Sequence, residues 1–234
     1  MDASRPAPAL SSAVVHGATG YVGRHLVRGL LAEGATVLAV GRSAARLDAL
    51  RESAGDDGTR LVPVVADVSA DDGARHVAQQ IADHGVVQAG FAAIGGWWEG
   101  SRLVDLDTQT WSSLLTSHLT AHFLAARATV PHLDPVGSAY VTLNGIATLQ
   151  PEAGSGPVSV TGAGQSMLLD VLRAEDDRPA VRFHELCVVN PVVDDGDAAD
   201  APEAVVEISD VVSAALTLAR SGEARTRRHE LGRL

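Results

Sequence analysis

Short, unbroken runs of Val, Ala and Leu alternate along this chain with stretches whose apolar residues return every third or fourth position, and few folds accept that alternation. The runs fall at 13–15, 37–40, 61–66, 91–94, 139–143 and 181–189. They are continuous rather than polar at every second residue, the pattern of strands buried on both faces. Helical periodicity fills the intervals. Val22, Leu26 and Leu30 recur every fourth residue with Val27 and Leu31 beside them, and further helices are expected over 44–52, 71–84, 108–132, 160–174 and 208–219. The 108–132 stretch carries Trp111, Leu114, Leu115, Leu119, Phe123 and Leu124 on one face, and Pro131 marks its end. This order predicts an α/β fold, a doubly wound parallel sheet with helices on both faces. One domain over 12–234 is expected, after a flexible tail at 1–11.

Composition narrows what such a fold can serve. With 46% hydrophobic residues in a chain of 234, one large core can form. The formal charge of -11 repels nucleic acid and anionic membranes, so the expected partners are small molecules. Cys187 is the only cysteine, which excludes an internal disulfide and a thiolate metal cluster. No segment approaches the roughly 18 apolar residues of a membrane span, and a cytoplasmic location is expected. Residues 190–205 carry Asp194, Asp195, Asp197, Asp200 and Glu203, and read as a solvated acidic loop, either a lid or a linker without a role. The basic stretch 225–233 reads as a solvated end.

Gly17-Ala18-Thr19-Gly20-Tyr21-Val22-Gly23 follows the first strand and opens the first helix. Glycines there let backbone N–H groups at a helix N-terminus approach a pyrophosphate, which makes the domain Rossmann-like. Where an acidic residue would grip the ribose hydroxyls of NAD, the second strand ends in Gly41-Arg42-Ser43. A guanidinium suits a 2'-phosphate, with Arg24 in support, so NADP(H) is favoured. Asp67 and Val68, at the end of the third strand, fall where an adenine edge would lie.

From Ser12 to about Leu231 the chain resembles the short-chain dehydrogenase/reductase superfamily. The loop spacing is similar to its extended and atypical branches. Ala93-Ile94-Gly95-Gly96 stands where the compact branch has Asn-Ala-Gly, Trp111 opens its long interface helix, and Asn190-Pro191 follows its sixth strand. Gly95-Gly96-Trp97, Ser117-His118-Leu119 and Thr142-Leu143 with Gly145 are further similar to dihydropteridine reductases. The resemblance places Ala93, Ile94 and Gly95 against the cofactor. It carries the family's catalytic asparagine onto His118, its serine onto Gly145, its tyrosine onto Val158 and its lysine onto Gly162. All four are changed. The chain contains no lysine at all, and its only tyrosines, Tyr21 and Tyr140, cannot supply the Tyr-x-x-x-Lys pair. The resemblance thus implies an atypical member without the proton-handling pair.

In a doubly wound sheet the pocket opens at the carboxyl ends of the strands. Gly96, Trp97, Trp98, Glu99, Gly145, Ile146, Val158, Asn190 and Val192 are expected around a substrate there, with the two tryptophans able to stack on a flat molecule. His118 is the acid/base candidate, and packing is its alternative. Asn144 could donate to a carbonyl or oxyanion, or merely shape a turn. His118 and His122 have the spacing of two metal ligands on one helix face, but no third is apparent and no metal is expected. Three functions follow: an NADPH-dependent reductase of a quinonoid, iminium or conjugated acceptor; a non-redox cyclase, isomerase or lyase of secondary metabolism; or a silent NADP(H) sensor or partner subunit. A homo-oligomer, dimer or tetramer, is expected through the helices around 111–128 and 160–174, with Gly162, Ala163 and Gly164 permitting close approach.

Overall fold

The computed structural model describes residues 9–197, 204–220 and 228–232. Strands β1 (Ser12–His16), β2 (Thr36–Gly41), β3 (Leu61–Val65), β4 (Ala89–Ala92), β5 (Ser138–Gly145) and β6 (Val181–Val188) alternate with helices α1 (Tyr21–Ala32), α2 (Ala44–Ser53), α3 (Asp71–His84), α4 (Thr108–Leu114), α5 (Ala121–Thr129) and α6 (Gly156–Glu175). A short pair, β7 (Val192–Val193) and β8 (Val206–Glu207), precedes α7 (Ile208–Arg220) and β9 (Arg228–Leu231). The main sheet is parallel throughout, in the order β3-β2-β1-β4-β5-β6-β9. The protein has a Rossmann-like α/β fold.

Successive strand residues feed opposite cores. Ala13 and Val15 join Leu26, Leu30 and Val211 in the layer with α1, α2 and α7. Val14, between them, joins Val77, Ile81, Ala126 and Leu169 in the layer with α3, α5 and α6. This two-sided burial explains why the strand sequences are unbroken apolar runs. The strand order reverses between β1 and β4, so the loops leaving their carboxyl ends diverge and open a cleft there.

Several expected boundaries differ. Strand β4 is Ala89–Ala92 rather than 91–94, which frees Ala93 and Ile94 to line the cleft. The helix expected over 108–132 contains a π-helical turn at Leu115–Thr120 and ends in a 3-10 turn at Val130–His132. Leu10 is buried in the core and the Ser11 amide donates to Gln88 Oε1 at 2.6 Å, so the loose tail does not reach these two residues. Residues 1–8 lie outside the described residues.

In the acidic segment, Val192–Val193 pairs with Val206–Glu207, while Asp195 accepts from the Ser209 amide at 3.0 Å at the start of α7. This part is tied down rather than a free loop; Asp200 and Glu203 lie outside the described residues. The stretch expected as a solvated end supplies β9, because Arg228 pairs with the buried Glu185 and lets a polar strand join the sheet edge. Residues 225–227 and 233 of that stretch lie outside the described residues.

Candidate functional site

The glycine loop closes tightly on the sheet. Gly17 has φ 74°, and a Cβ there would sit 2.2 Å from the Ala93 carbonyl oxygen; at Gly23 it would sit 2.1 Å from that of Gly17. Any side chain at either place pushes the loop from β4 or α1 from the loop. Helix α1 begins at Tyr21 with no side-chain cap and no acidic residue in its first turn. Its first amides are thereby left for an anion, and the cradle fits a dinucleotide pyrophosphate.

From this loop the cleft runs in two directions. One end, of about 430 Å³, is walled by Gly17, Thr19, Gly41, Arg42, Arg46, Asp67, Val68 and Ser69. Arg46 is fixed by donation to the Thr19 carbonyl at 2.5 Å, and Arg42 stands exposed beside it. Hydrogen bonds from the Ser69 hydroxyl and amide hold the Asp67 carboxyl below the usual carboxylate range. The other end, of about 360 Å³, is walled by Tyr21, Val22, Leu143, Asn144, Gly145, Val158, Thr161, Gly162, Gln165, Asn190 and Val192, among others. Gly20, the Ala93-to-Trp97 segment and His118 belong to both ends, so this is one continuous cleft.

The positions carried over from the family meet in the second end: His118, Gly145, Val158 and Gly162 all line it. Val158, Thr161, Gly162 and Gln165 form one face of α6, at the i, i+3, i+4 and i+7 spacing of a helix. A side chain at Gly162 would press on Thr148. A Cβ there would fall 2.6 Å from Thr148 Oγ1 and 3.3 Å from Thr148 Cα. Among the described residues, this wall offers no acidic or basic side chain besides His118 and the phenol of Tyr21. Burial, with the Tyr21 donation to Asp194 at 2.7 Å, pushes that phenol up to about 12, which makes it a poor acid.

His118 lies in the π-helical turn, the feature that separates its helix from ideal geometry. Its Nε2 is 3.0 Å from the Gly96 carbonyl, which can only accept, so that nitrogen carries the proton. Its Nδ1 is 2.9 Å from Ser117 Oγ. His122, one turn on, donates from Nε2 to the Ile94 carbonyl at 3.1 Å. Both imidazoles therefore hold the loop leaving β4, and among the described residues no group of three or more His, Cys, Asp or Glu could hold a metal.

Other expected residues serve different ends. Asn144 directs both amide hydrogens to protein acceptors, Glu185 Oε1 at 3.2 Å and the Gly162 carbonyl at 3.4 Å, and of its two expected roles, donor to a carbonyl or oxyanion and shaper of a turn, these bonds leave no hydrogen for the first. Arg24 stacks over the Tyr21 ring at 4.9 Å instead of facing Arg42. The Ser43 hydroxyl caps α2 by accepting from the Arg46 amide. Trp98 faces the first end of the cleft, and Ile146 belongs to neither wall. Arg46, Thr161 and Gln165 were not expected; the α6 spacing signalled the last two, and nothing separated Arg46 from an ordinary helix arginine.

Residues 11–193 match the family model described as short chain dehydrogenase. The chain belongs to that family. Among curated short-chain dehydrogenases, "Short-chain dehydrogenase/reductase iacG" of Pestalotiopsis fici is 30% identical over 190 residues, covering 79% of this chain and 75% of its own. "Uncharacterized oxidoreductase SH0585" of Staphylococcus haemolyticus is 25% identical, with 70% of each chain covered. The solved alcohol dehydrogenase of the archaeon Thermococcus sibiricus, complexed with 5-hydroxy-NADP, shares the fold with a TM-score of 0.82 at 18% identity, over 95% of this chain and 96% of that one. L-Sorbose reductase of Gluconobacter frateurii, complexed with NADPH and L-sorbose, does so at 0.83 and 18%, over 94% of each.

Proposed function

We propose that this short-chain dehydrogenase binds NADPH and reduces an activated acceptor, quinonoid, iminium or conjugated, without the tyrosine-lysine pair of its family. The observation that carries the reading is Gly162: the cleft keeps a glycine cradle for the dinucleotide, while a side chain at the place of the lysine would press on Thr148. The α1 amides would hold the pyrophosphate, and Arg42 with Arg46 the 2'-phosphate. Bound there, NADPH supplies a hydride. The protein contributes orientation, through Trp97 and the segment fixed by His118 and His122, and shelter from water, through Leu143, Val158 and Val192. A ketone reduced in this pocket would leave an alkoxide with no acid beside it, whereas an activated acceptor needs none at the transition state.

The test mixes the purified protein with NADPH and, in turn, a simple ketone, benzoquinone and an N-alkyl iminium, following loss of the nicotinamide absorbance. Oxidation with the latter two and not with the ketone is expected. Bound NADPH that none of the acceptors oxidises would favour the sensor or non-redox reading, and brisk ketone reduction would contradict the account.

A further inference from the structure

A chain of hydrogen bonds behind the cleft fixes which way Asn144 faces. Arg228, which can only donate, gives Nε to Glu185 Oε2 at 2.6 Å and Nη2 to Ser166 Oγ at 2.9 Å. Ser166 then passes its own hydrogen to Glu185 Oε1. Asn144 Nδ2 donates to that same oxygen. Arg228 Nε, Ser166 Oγ and Asn144 Nδ2 all donate to Glu185, which is fully buried and paired with Arg228, so it accepts from all three. The nitrogen of the Asn144 amide is therefore the end that faces Glu185, and a flip would set two oxygens against each other in a buried site.

The other end of the amide is left to the cleft wall. Asn144 Oδ1 accepts from the Gly145 amide at 3.1 Å, which leaves a second lone pair. Asn144 itself lines the cleft. This wall presents an acceptor, and among the described residues that line it the acidic or basic groups are His118 and the phenol of Tyr21.

We propose that the site reads a hydrogen-bond donor on its substrate, and that the substrate class is an N-protonated imine whose N–H is received by Asn144 Oδ1. The inference rests on the reductase reading and narrows it. Quinones and ketones offer only acceptors to this wall, and carboxylates would lack a counter-ion. Reduction balances without a proton donor: the imine carbon gains the hydride given up by NADPH, which becomes NADP+, the C=N π pair passes to nitrogen as its lone pair, and a neutral amine is formed.

The experiment compares 3,4-dihydroisoquinolinium, which carries N–H, with its N-methyl analogue, of equal charge and nearly equal shape. Calorimetric titration of each into the protein without NADPH should show the N–H form binding about tenfold tighter or more, the scale of one hydrogen bond involving a charged group. Asn144→Leu should bring the two within about twofold. Equal binding by the unaltered protein overturns the inference and needs no variant to fold. NADPH oxidation by the N-methyl form or benzoquinone, with no N–H preference, would overturn the inference while leaving the reductase reading intact. N–H preference without oxidation of NADPH by any acceptor would uphold the Asn144 acceptor and overturn the reductase reading.

Discussion

His118 Nε2 donates to the carbonyl oxygen of Gly96 at 3.0 Å, while Ser117 Oγ, 2.9 Å from Nδ1, gives its own hydrogen to the Ser113 carbonyl. His118 is thus a positioning residue for a segment that borders both ends of the cleft. His118→Leu should raise the KM for NADPH about tenfold while kcat stays within about threefold, and His118→Gln, which can still donate to Gly96, should recover most of the loss. A hundredfold fall in kcat at unchanged KM, with a lost limb of the pH profile, would instead identify a general acid.

At Gly162 two effects oppose each other. Replacing a helical glycine with alanine gains about 1 kcal/mol from propensity. Overpacking against Thr148, whose Oγ1 and Cα lie 2.6 and 3.3 Å from the new Cβ, costs about 1–3 kcal/mol. Gly162→Ala should therefore lower stability in urea unfolding, and the double variant with Thr148→Ala should recover it. The pair Val158→Tyr and Gly162→Lys should fail to yield a ketone reductase. A net stabilisation by Gly162→Ala would show that the place is open.

Much of the fold was legible because burial on both sides of the sheet leaves a mark in every strand. The exception is β9, Arg-His-Glu-Leu, whose charges conceal a sheet edge until Glu185 is placed beside Arg228. The π-helical turn was not legible, since Trp111, Leu115, Leu119 and Phe123 recur every fourth residue through it. The glycine loop was clear in sequence because its local order is strand, turn, helix. The direction of Asn144 was not, because it is set by Glu185, 41 positions away. Arg46 looked like any surface arginine of α2, and only the Thr19 carbonyl brings it to the cleft.

Acid should weaken the protein before carboxylates titrate. Burial and the neighbouring His122 lower the His16 pKa from 6.5 to about 3, and burial lowers that of His122 to about 4. Below pH 6.5 the unfolded chain takes up protons at these sites that the folded chain refuses, so their contribution is whole above 6.5 and falls as pH drops toward 4. Each site contributes a slope of about 1.4 kcal/mol per pH unit across that window. Urea unfolding at pH 7, 6 and 5 should show a steadily falling midpoint. A midpoint constant over this range would contradict the buried, neutral state of the pair.

Helix α6 turns an apolar stripe outward: Val160, Ala163, Met167 and Val171 follow one another at helical spacing, with Phe123 of α5 also exposed. Gly162 and Gly164 do not belong to it, because they pack on Thr148 and Leu119 within the subunit. Self-association is expected through the stripe. Met167→Glu should shift the protein toward monomer in light scattering, and an unaltered protein that is monomeric at micromolar concentration would refute the interface.

The central claim is that a dinucleotide cradle persists where the proton-handling pair is gone. Its most direct test is a titration of the purified protein with NADPH and with NADH, following nicotinamide fluorescence. The account predicts saturable binding of NADPH, at least about tenfold tighter than NADH, with the preference lost in Arg42→Ala. Failure of either nucleotide to bind at millimolar concentration would contradict it.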